Sequence, residues 1–230
     1  WNLLAWFDIR VTHIWAFRVY GVSQLAKYVP GNIFHLAGRQ VIGMSAGAPS
    51  GKLLKSMLWE LGLAAIAGTL YGWLILPGLF SRFSSLASIV LSVISISVAV
   101  FLLRQLLDAR VAKAFAYLLC LQAITGIIFA ILLDVISRDV SFSPQTWLLI
   151  GGSYIIAWLI GLVTPGAPAG AGVRELILLL LLKSVVQEAD LLVAIVLGRI
   201  ITVLGDVLFF VMAFSIPVKF YQLPTENKHG

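Results

Sequence analysis

The chain has 230 residues, of which 60% are hydrophobic and 11% charged, and its mean hydropathy is +1.02. An ordinary soluble domain is about 45–50% apolar and about 25% charged, so this composition excludes a soluble enzyme, a nucleic-acid-binding domain and a disordered chain. The net charge of +6 comes from basic residues that lie mainly between apolar runs, a pattern typical of membrane topology. The composition predicts an all-α polytopic membrane protein with one integral membrane domain over residues 1–230.

The first predicted element is an apolar helix that breaks near its middle. Residues 14–29 lead into a Pro-Gly-Asn sequence at 30–32, and a shorter helix over 33–44 follows. Proline lacks the amide hydrogen and glycine admits left-handed backbone, so both residues end helices. The two pieces predict a re-entrant helical hairpin at about 14–44.

Long apolar segments follow, and five of them are predicted as spans or near-spans: 52–80, 85–107, 111–136, 145–163 and 191–214. The fourth of these segments ends in a tract rich in glycine and proline at 164–172, and a short helix at 173–183 follows it. At 1.5 Å per residue this short helix crosses about half a bilayer. A second re-entrant hairpin is therefore predicted at about 145–184, and a polar tail begins at Pro217.

Lysine and arginine residues in the connections predict the orientation, because basic loops stay in the cytoplasm. The residues placed there are Lys52, Lys55, Arg104, Arg110 and Lys113, whereas Arg82 and Arg138 lie outside. If the tail with Lys219 and Lys228 is also cytoplasmic, the loop 185–190 lies outside. The second hairpin then enters from the outer face and the first from the cytoplasm.

Two hairpins inserted from opposite faces, each followed by a long span, predict an inverted-topology repeat of the kind found in transporters. The alternative is that both breaks are ordinary kinks and that the symmetry is accidental. The chain begins at Trp1, with no methionine and no signal peptide before it, so we interpret it as a fragment that lacks N-terminal helices.

Charged residues inside the predicted membrane segments suggest a site, because a charge at the bilayer centre costs on the order of 2.5–3.5 kcal/mol. The residues predicted to bind a substrate are Asn32, His35, Arg39, Glu60, Gly166, Gly170, Gly172, Arg174, Glu175, Arg199 and Asp206. Free amides at a half-helix N-terminus attract anions, and Arg174 can bind phosphate oxygens with two hydrogen bonds. The pattern favours a cradle for a phosphate head group.

A structural interpretation of the same charges stays open. Arg174 would then pair with Glu60 or Asp206, and Arg199 with Asp206 or Glu175, with no ligand involved. No cysteine, histidine and carboxylate set has zinc spacing, and no metal, cofactor or catalytic residue is predicted. An intramembrane enzyme acting on a phospholipid or polyprenyl phosphate would need an acid/base pair, for which His35 with Glu60 is the candidate.

Several short motifs in this order resemble a known family. They are Leu-Ala-Lys-Tyr-Val-Pro-Gly-Asn at 25–32, His35, Gly38-Arg39, Glu60, Thr-Pro-Gly at 164–166, Gly-Val-Arg-Glu at 172–175, Gly198-Arg199 and Asp206. Over nearly the whole chain they resemble the membrane domain of the lysylphosphatidylglycerol synthetase/flippase family. The resemblance implies a lipid-translocating domain that either stands alone or is fused to an aminoacyl transferase or a glycosyltransferase.

We therefore expect a translocase of the prokaryotic cytoplasmic membrane that moves a phospholipid or a polyprenyl-phosphate-linked sugar between leaflets. Arg39, Arg174 and Arg199 would hold the phosphate at the midplane, between the two hairpins. Expected partners are this lipid, the bilayer, and a second copy or a fused or partner transferase, but no nucleic acid. The alternative is a non-catalytic membrane scaffold or accessory protein of glycolipid or polysaccharide assembly, in which the charges are structural.

Overall fold

The computed structural model describes residues 1–29, 33–80, 82–137, 142–164 and 166–217. Throughout these ranges the regular structure is helical, and no strand occurs in them. The α-helices are α1 (Asn2–Trp6), α2 (His13–Gln24), α3 (Phe34–Ser45), α4 (Ser50–Leu70), α5 (Leu76–Leu79), α6 (Ser85–Leu106), α7 (Ala109–Ile136), α8 (Pro144–Val163), α9 (Val173–Leu182) and α10 (Glu188–Ser215). Short 3₁₀ turns lie at Leu25–Tyr28, Tyr71–Ile75 and Pro168–Gly170.

Five helical segments of the described chain are long and apolar enough to cross a membrane: Ser50–Leu79, Ser85–Leu106, Ala109–Ile136, Pro144–Val163 and Glu188–Ser215. The all-helical class and the five long apolar segments are thereby confirmed. Each predicted boundary lies within about three residues of the observed one, an error that is usual for helix ends. The first of these segments is continuous through a 3₁₀ turn between α4 and α5.

Polar side chains fix where several of these helices begin. In α2, α6, α7 and α8 the residue before the helix accepts a hydrogen bond from a backbone N–H of the first turn, and these residues are Thr12, Ser84, Asp108 and Ser143. Such a cap satisfies one of the amides that have no partner at a helix start. The helix ends are therefore set by local sequence, independently of the hydropathy that sets their length.

Some sequence expectations need correction. Helix α10 begins at Glu188, so three residues of the predicted loop 185–190 belong to its first turn. The 3₁₀ turn Leu25–Tyr28 replaces the last turn of the predicted helix 14–29, and the short helix α1 was not predicted. Predictions that concern Pro30, Gly31, Asn32, Arg138, Pro165 and the tail with Lys219 and Lys228 lie outside the described residues.

The helices around each break pack against each other and against the long spans. Helix α2 contacts α3, and α8 contacts α9. Helix α10 lies against α2, whereas α4 lies against α7 and α8. The largest apolar core joins α7, α8, α9 and α10 through Leu133, Ile150, Leu182 and Leu191, none of which is exposed. Helix α2 is thus covered by α10.

Close approach between α2 and α10 depends on the absence of a side chain at Gly21. A Cβ atom added there would lie 2.2 Å from the Cβ atom of Ala213 and 3.1 Å from the carbonyl oxygen of Phe209. Neither atom belongs to a flexible side-chain end, so an alanine at position 21 would push the two helices apart. Small residues at such contacts are the usual means of close helix packing in membranes.

The contact at Gly21 gives a testable expectation. Gly21→Ala should lower the stability of the folded protein by about 1–3 kcal/mol, the usual cost of overpacking. Gly62→Ala is the matched control, because Gly62 also lies within a helix but has no atom within 4 Å of an added Cβ. Thermal unfolding in detergent measures both variants. A melting temperature of Gly21→Ala equal to or above that of Gly62→Ala would show that the α2–α10 contact is not tight.

Candidate functional site

Two 3₁₀ turns, each at a point where a helical segment is interrupted, lie against each other. The turn Leu25–Tyr28 ends the first broken segment and contacts the turn Pro168–Gly170 of the second. Helix α10 contacts the first of these turns and also α9. The packing therefore gathers polar residues from distant parts of the sequence, and they form three groups.

The first group, called here the Glu60 cluster, consists of Tyr20, Arg39 and Glu60. Arg39 donates from Nη1 to both carboxylate oxygens of Glu60, at 3.0 and 3.2 Å. The hydroxyl of Tyr20 donates to Oε2 of the same carboxylate. The guanidinium carbon of Arg39 also lies 3.5 Å from the centre of the Tyr20 ring. The cluster joins α2, α3 and α4 by a hydrogen-bonded ion pair and a cation–π contact.

The second group, called here the Asp206 cluster, joins α10 to the end of the first hairpin segment. Lys27 Nζ lies 2.7 Å from Oδ2 of Asp206, and Gln24 Nε2 donates to Oδ1 at 3.1 Å. The hydroxyl of Tyr28 donates to Oδ2 as well. Only 12% of the Asp206 side chain is exposed, so its charge is neutralised inside the protein. Charged groups in apolar surroundings require such partners.

The third group, called here the Arg174 cluster, lies at the start of α9 and comprises Arg174, Glu175 and Arg199. Arg199 donates from Nε to Glu175 Oε1 at 2.7 Å and from Nη1 to the carbonyl oxygen of Ala169 at 3.0 Å. Glu175 lies in the first turn of α9, where a negative charge suits the helix dipole. The other carboxylate oxygen of Glu175 and Nη2 of Arg199 are buried without a hydrogen-bond partner.

Arg174 differs from the other arginines of these clusters because no carboxylate within the described ranges forms an ion pair with it. Its Nε atom is buried and has no hydrogen-bond partner. The guanidinium lies 5.9 Å from the ring centre of Trp158, and Arg174 lines the same small space as Glu175 and Arg199. A half-buried cation with neither an ion pair nor a hydrogen bond to Nε retains the capacity to bind an anion.

Glycine residues form a slot for the Arg174 side chain. A Cβ atom at Gly170 would lie 2.9 Å from both Nε of Arg174 and the Cα atom of Gly161. A Cβ atom at Gly161 would lie 2.8 Å from Cγ of Arg174. Gly170 also has a φ of +71°, a conformation that L side chains rarely adopt. Any side chain at Gly170 would therefore disturb both the backbone and the position of Arg174.

The remaining predicted glycines, Gly166 and Gly172, also adopt left-handed backbone, but they do not contact Arg174. Gly166 and Gly172 have φ values of +85° and +83°, and an added Cβ at either would meet no atom within 4 Å. The space beside Arg174, Glu175 and Arg199 measures about 20 Å³. A single water molecule needs roughly 10–15 Å³ by this kind of measure, so a phosphate does not fit without movement.

The predicted site residues are only partly gathered. Glu175 is the partner of Arg199, as one of the proposed pairings had it, but Asp206 binds Lys27 instead of either arginine. Glu60 binds Arg39 and not Arg174. Among the described contacts, no hydrogen bond joins His35 to Glu60, and the buried Nδ1 of His35 has no partner. Asn32 lies outside the described residues.

Sequence reasoning did not select five residues that make the clusters: Tyr20, Gln24, Lys27, Tyr28 and Trp158. A usable signal was present for three of them. Tyr20, Gln24 and Lys27 are spaced by four and then three residues, which places them on one face of a helix. Polar residues on one face of an apolar segment, just before a proline, indicate a contact inside the membrane.

No family model, curated protein or solved structure matches the chain. The interpretation of the site therefore rests on the geometry of its residues.

The ion pair between Lys27 and Asp206 gives a quantitative expectation. In a double-mutant cycle, Lys27→Met and Asp206→Asn should couple by about 1–3 kcal/mol, because the two charges touch and are mostly buried. Reversible unfolding in mixed detergent micelles measures the free energies.

Lys27→Met combined with Asp190→Asn provides the control for this cycle. Asp190 lies on the same helix as Asp206, about 24 Å away at 1.5 Å per residue. Its effect should add to that of Lys27→Met within about 0.5 kcal/mol. Equal coupling in both cycles would contradict a specific pair at Asp206.

Proposed function

We propose that the chain is a lipid translocase that moves a phospholipid or a lipid-linked sugar between the leaflets of the prokaryotic cytoplasmic membrane. The phosphate head group would bind to Arg174 between two re-entrant hairpins. The resemblance of the sequence motifs to the lysylphosphatidylglycerol synthetase/flippase family supports this function. The five helices that are long and apolar enough to span a membrane are compatible with it.

The observation that carries the proposal is the state of Arg174. In the described chain, Lys27, Arg39 and Arg199 each have a carboxylate partner, and Arg174 has none. An unpaired cation is costly in an apolar environment, so its retention calls for a ligand with the opposite charge. A phosphate matches the guanidinium in charge and in planar hydrogen-bond geometry. The glycine slot at Gly161 and Gly170 holds the side chain in place.

Arg199 supplies the exchange that a transport cycle needs. It is bound to Glu175, while its own Nη2 remains without a hydrogen-bond partner. A phosphate on Arg174 would lie near Arg199, because both arginines line the same small space. The phosphate would share Arg199 with Glu175, and Glu175 would take the arginine back when the lipid leaves. This exchange reduces the time for which a buried charge is unpaired.

The pattern of helix contacts supports an inverted repeat. The first repeat would consist of α2, α3 and α4, and the second of α8, α9 and α10. Contacts occur in matching pairs: α2 with α3 and α8 with α9, α3 with α4 and α9 with α10, and α2 with α10 and α8 with α4. The contact between the two 3₁₀ turns would lie on the pseudo-twofold axis. Transporters built from such repeats bind substrate near this axis, at the membrane midplane.

The proposed cycle requires movement. The space beside Arg174 is about 20 Å³, so the described conformation is closed around the site. Rocking of one repeat against the other would open the space to one leaflet at a time. During this movement, Glu60 would keep Arg39 neutralised and Asp206 would keep Lys27 neutralised.

The scaffold function is favoured by a different observation. Three ion pairs lie within the described residues, and each joins separate helices or turns. Charges used in this way are sufficient to lock an assembly without any ligand. Among the basic residues of the three described clusters, Arg174 is the one without a carboxylate partner, and a transport assay on Arg174 therefore separates the two candidates.

The transport assay uses the full chain in proteoliposomes with trace fluorescent phosphatidylglycerol or a fluorescent polyprenyl phosphate. Arg174→Gln should slow leaflet exchange about tenfold or more, which is the loss expected for one hydrogen bond to a charged group. Arg104→Gln is the control, because Arg104 is exposed at the end of α6. It removes an equal charge and should leave the rate unchanged.

Two outcomes would contradict the translocase. One is exchange by the unsubstituted chain no faster than in empty liposomes, with the protein folded and inserted, which favours the scaffold. The other is equal exchange rates in Arg174→Gln and Arg104→Gln.

The glycine slot gives an independent expectation. Gly170→Ala should reduce exchange much more than Gly166→Ala. Both substitutions place a side chain at a positive φ, but only the one at Gly170 meets Arg174. The comparison removes the shared backbone strain, which costs on the order of 1–3 kcal/mol per residue. Leaflet exchange and melting temperature are measured together, and equal losses of exchange in the two variants would exclude a role for the slot.

A further inference from the structure

A second candidate site lies away from Arg174. A cavity of about 300 Å³ is lined by residues of α1, α2, α3, α4 and α7. It shares no lining residue with the small space beside Arg174. Its volume is at the lower end of the range for ligand pockets, roughly 300–1,000 Å³. The cavity is therefore large enough for part of an organic molecule.

Most of the cavity wall is apolar. Trp15 and Val19 contribute from α2, Leu53 and Met57 from α4, and Leu118 from α7. Water is bound weakly in an apolar cavity of this size, because each water molecule needs several polar partners. Hydrocarbon is the material that such a wall accommodates.

The Glu60 cluster forms the polar part of the wall. Its three members, Tyr20, Arg39 and Glu60, all line the cavity. The Glu60 carboxylate already accepts two hydrogen bonds from Arg39 and one from Tyr20. The Arg39 side chain is 10% exposed, its Nε is buried, and no hydrogen bond among the described residues uses its Nη2. The hydrogen-bonding groups of the cluster that remain free are therefore N–H donors of a cation. Such donors match a negatively charged oxygen.

The cavity is continuous with the outer surface of a predicted span. Tyr117 and Leu121 line it from α7, yet they are 69% and 58% exposed. In a membrane, exposed apolar residues of α7 face lipid. An occupant with a hydrocarbon chain can thus lie with its polar group inside the protein and its chain in the bilayer.

Exposed lysines in the same two helices favour the same occupant. The cavity residues of α4 and α7 follow directly after Lys52, Lys55 and Lys113, which are exposed at the starts of these two helices. Basic residues at this level attract anionic lipids of the adjacent leaflet. The cavity therefore lies where an anionic phospholipid would be concentrated.

We propose that this cavity is a lateral binding site for a phospholipid, with the phosphate on Arg39 and a hydrocarbon chain leaving past Tyr117 and Leu121. Lipid binding at the cavity stands by itself. A role of this cavity as the site where the lipid first binds, before its phosphate reaches Arg174, rests on the proposed translocase function. The lipid would then bind at the cavity first and pass between the hairpins in a second step.

Photolabelling of the full chain in dodecyl maltoside micelles tests the site. Two probes carry the same diazirine-bearing acyl chain: a phosphatidylglycerol and a diacylglycerol that lacks the phosphate. Mass spectrometry locates the label. The phosphatidylglycerol probe should label residues 53–60 and 114–121 about tenfold more than the diacylglycerol probe, as one hydrogen bond to a charged group would produce.

Neighbouring substitutions on α4 provide the matched variants. Met57 lines the cavity, whereas Leu58 is 58% exposed and does not. Met57→Trp should narrow the cavity and reduce this labelling, and Leu58→Trp should preserve it. Equal labelling by both probes, or equal labelling of Met57→Trp and Leu58→Trp, would overturn the proposal and indicate lipid contact at the outer surface only.

Leaflet exchange in the same variants keeps the two proposals apart. Cavity labelling without exchange supports the lipid site and contradicts the translocase. Exchange without cavity labelling contradicts the lipid site and leaves the translocase supported. A second variant, Arg39→Lys, keeps the charge that neutralises Glu60 but removes Nε, and it should lower labelling by the phosphatidylglycerol probe alone.

Discussion

A charged side chain in an apolar interior must be neutralised, and this constraint decides how the helices of this chain fit together. Glu60, Glu175 and Asp206 each bind a basic residue on another element. Through these contacts, α4 is held to α3, α10 to α9, and α10 to the turn that follows α2. Apolar contacts alone would leave the rotation of each helix poorly defined, because lipid tails solvate leucine as well as another helix does.

Close backbone contact works together with these ion pairs. Gly21 lets α10 approach α2, and that approach brings Asp206 within reach of Lys27. Gly161 and Gly170 likewise let the start of α9 approach the end of α8, which places Arg174 between them. The two contacts differ in their effect. The contact at Gly21 completes the ion pair of Lys27 with Asp206, whereas the contact at Gly161 and Gly170 leaves Arg174 without an ion pair. The proposed function depends on that difference.

The sequence was sufficient for the long helices and insufficient for the contacts between them. Hydropathy predicts each long segment because its length must match the bilayer, and the five segments agree with the prediction within about three residues. The short helix α1 has only five residues and offers no such signal. The pairing of Arg199 with Glu175 was one of two alternatives that charge offered. The pairing of Asp206 with Lys27 was not among them, because helical periodicity does not specify how far one helix is rotated against another.

The contact at Asp206 also has a consequence for synthesis of the protein. Tyr28 and Asp206 are separated by 178 residues, so the polar face at the end of α2 is made long before its partner exists. At about 5–20 residues per second, the ribosome needs roughly 10–40 s to reach Asp206. Lys27 has no carboxylate from α10 during this interval. The turn that follows α2 can therefore complete its contacts with Asp206 only after α10 has left the ribosome.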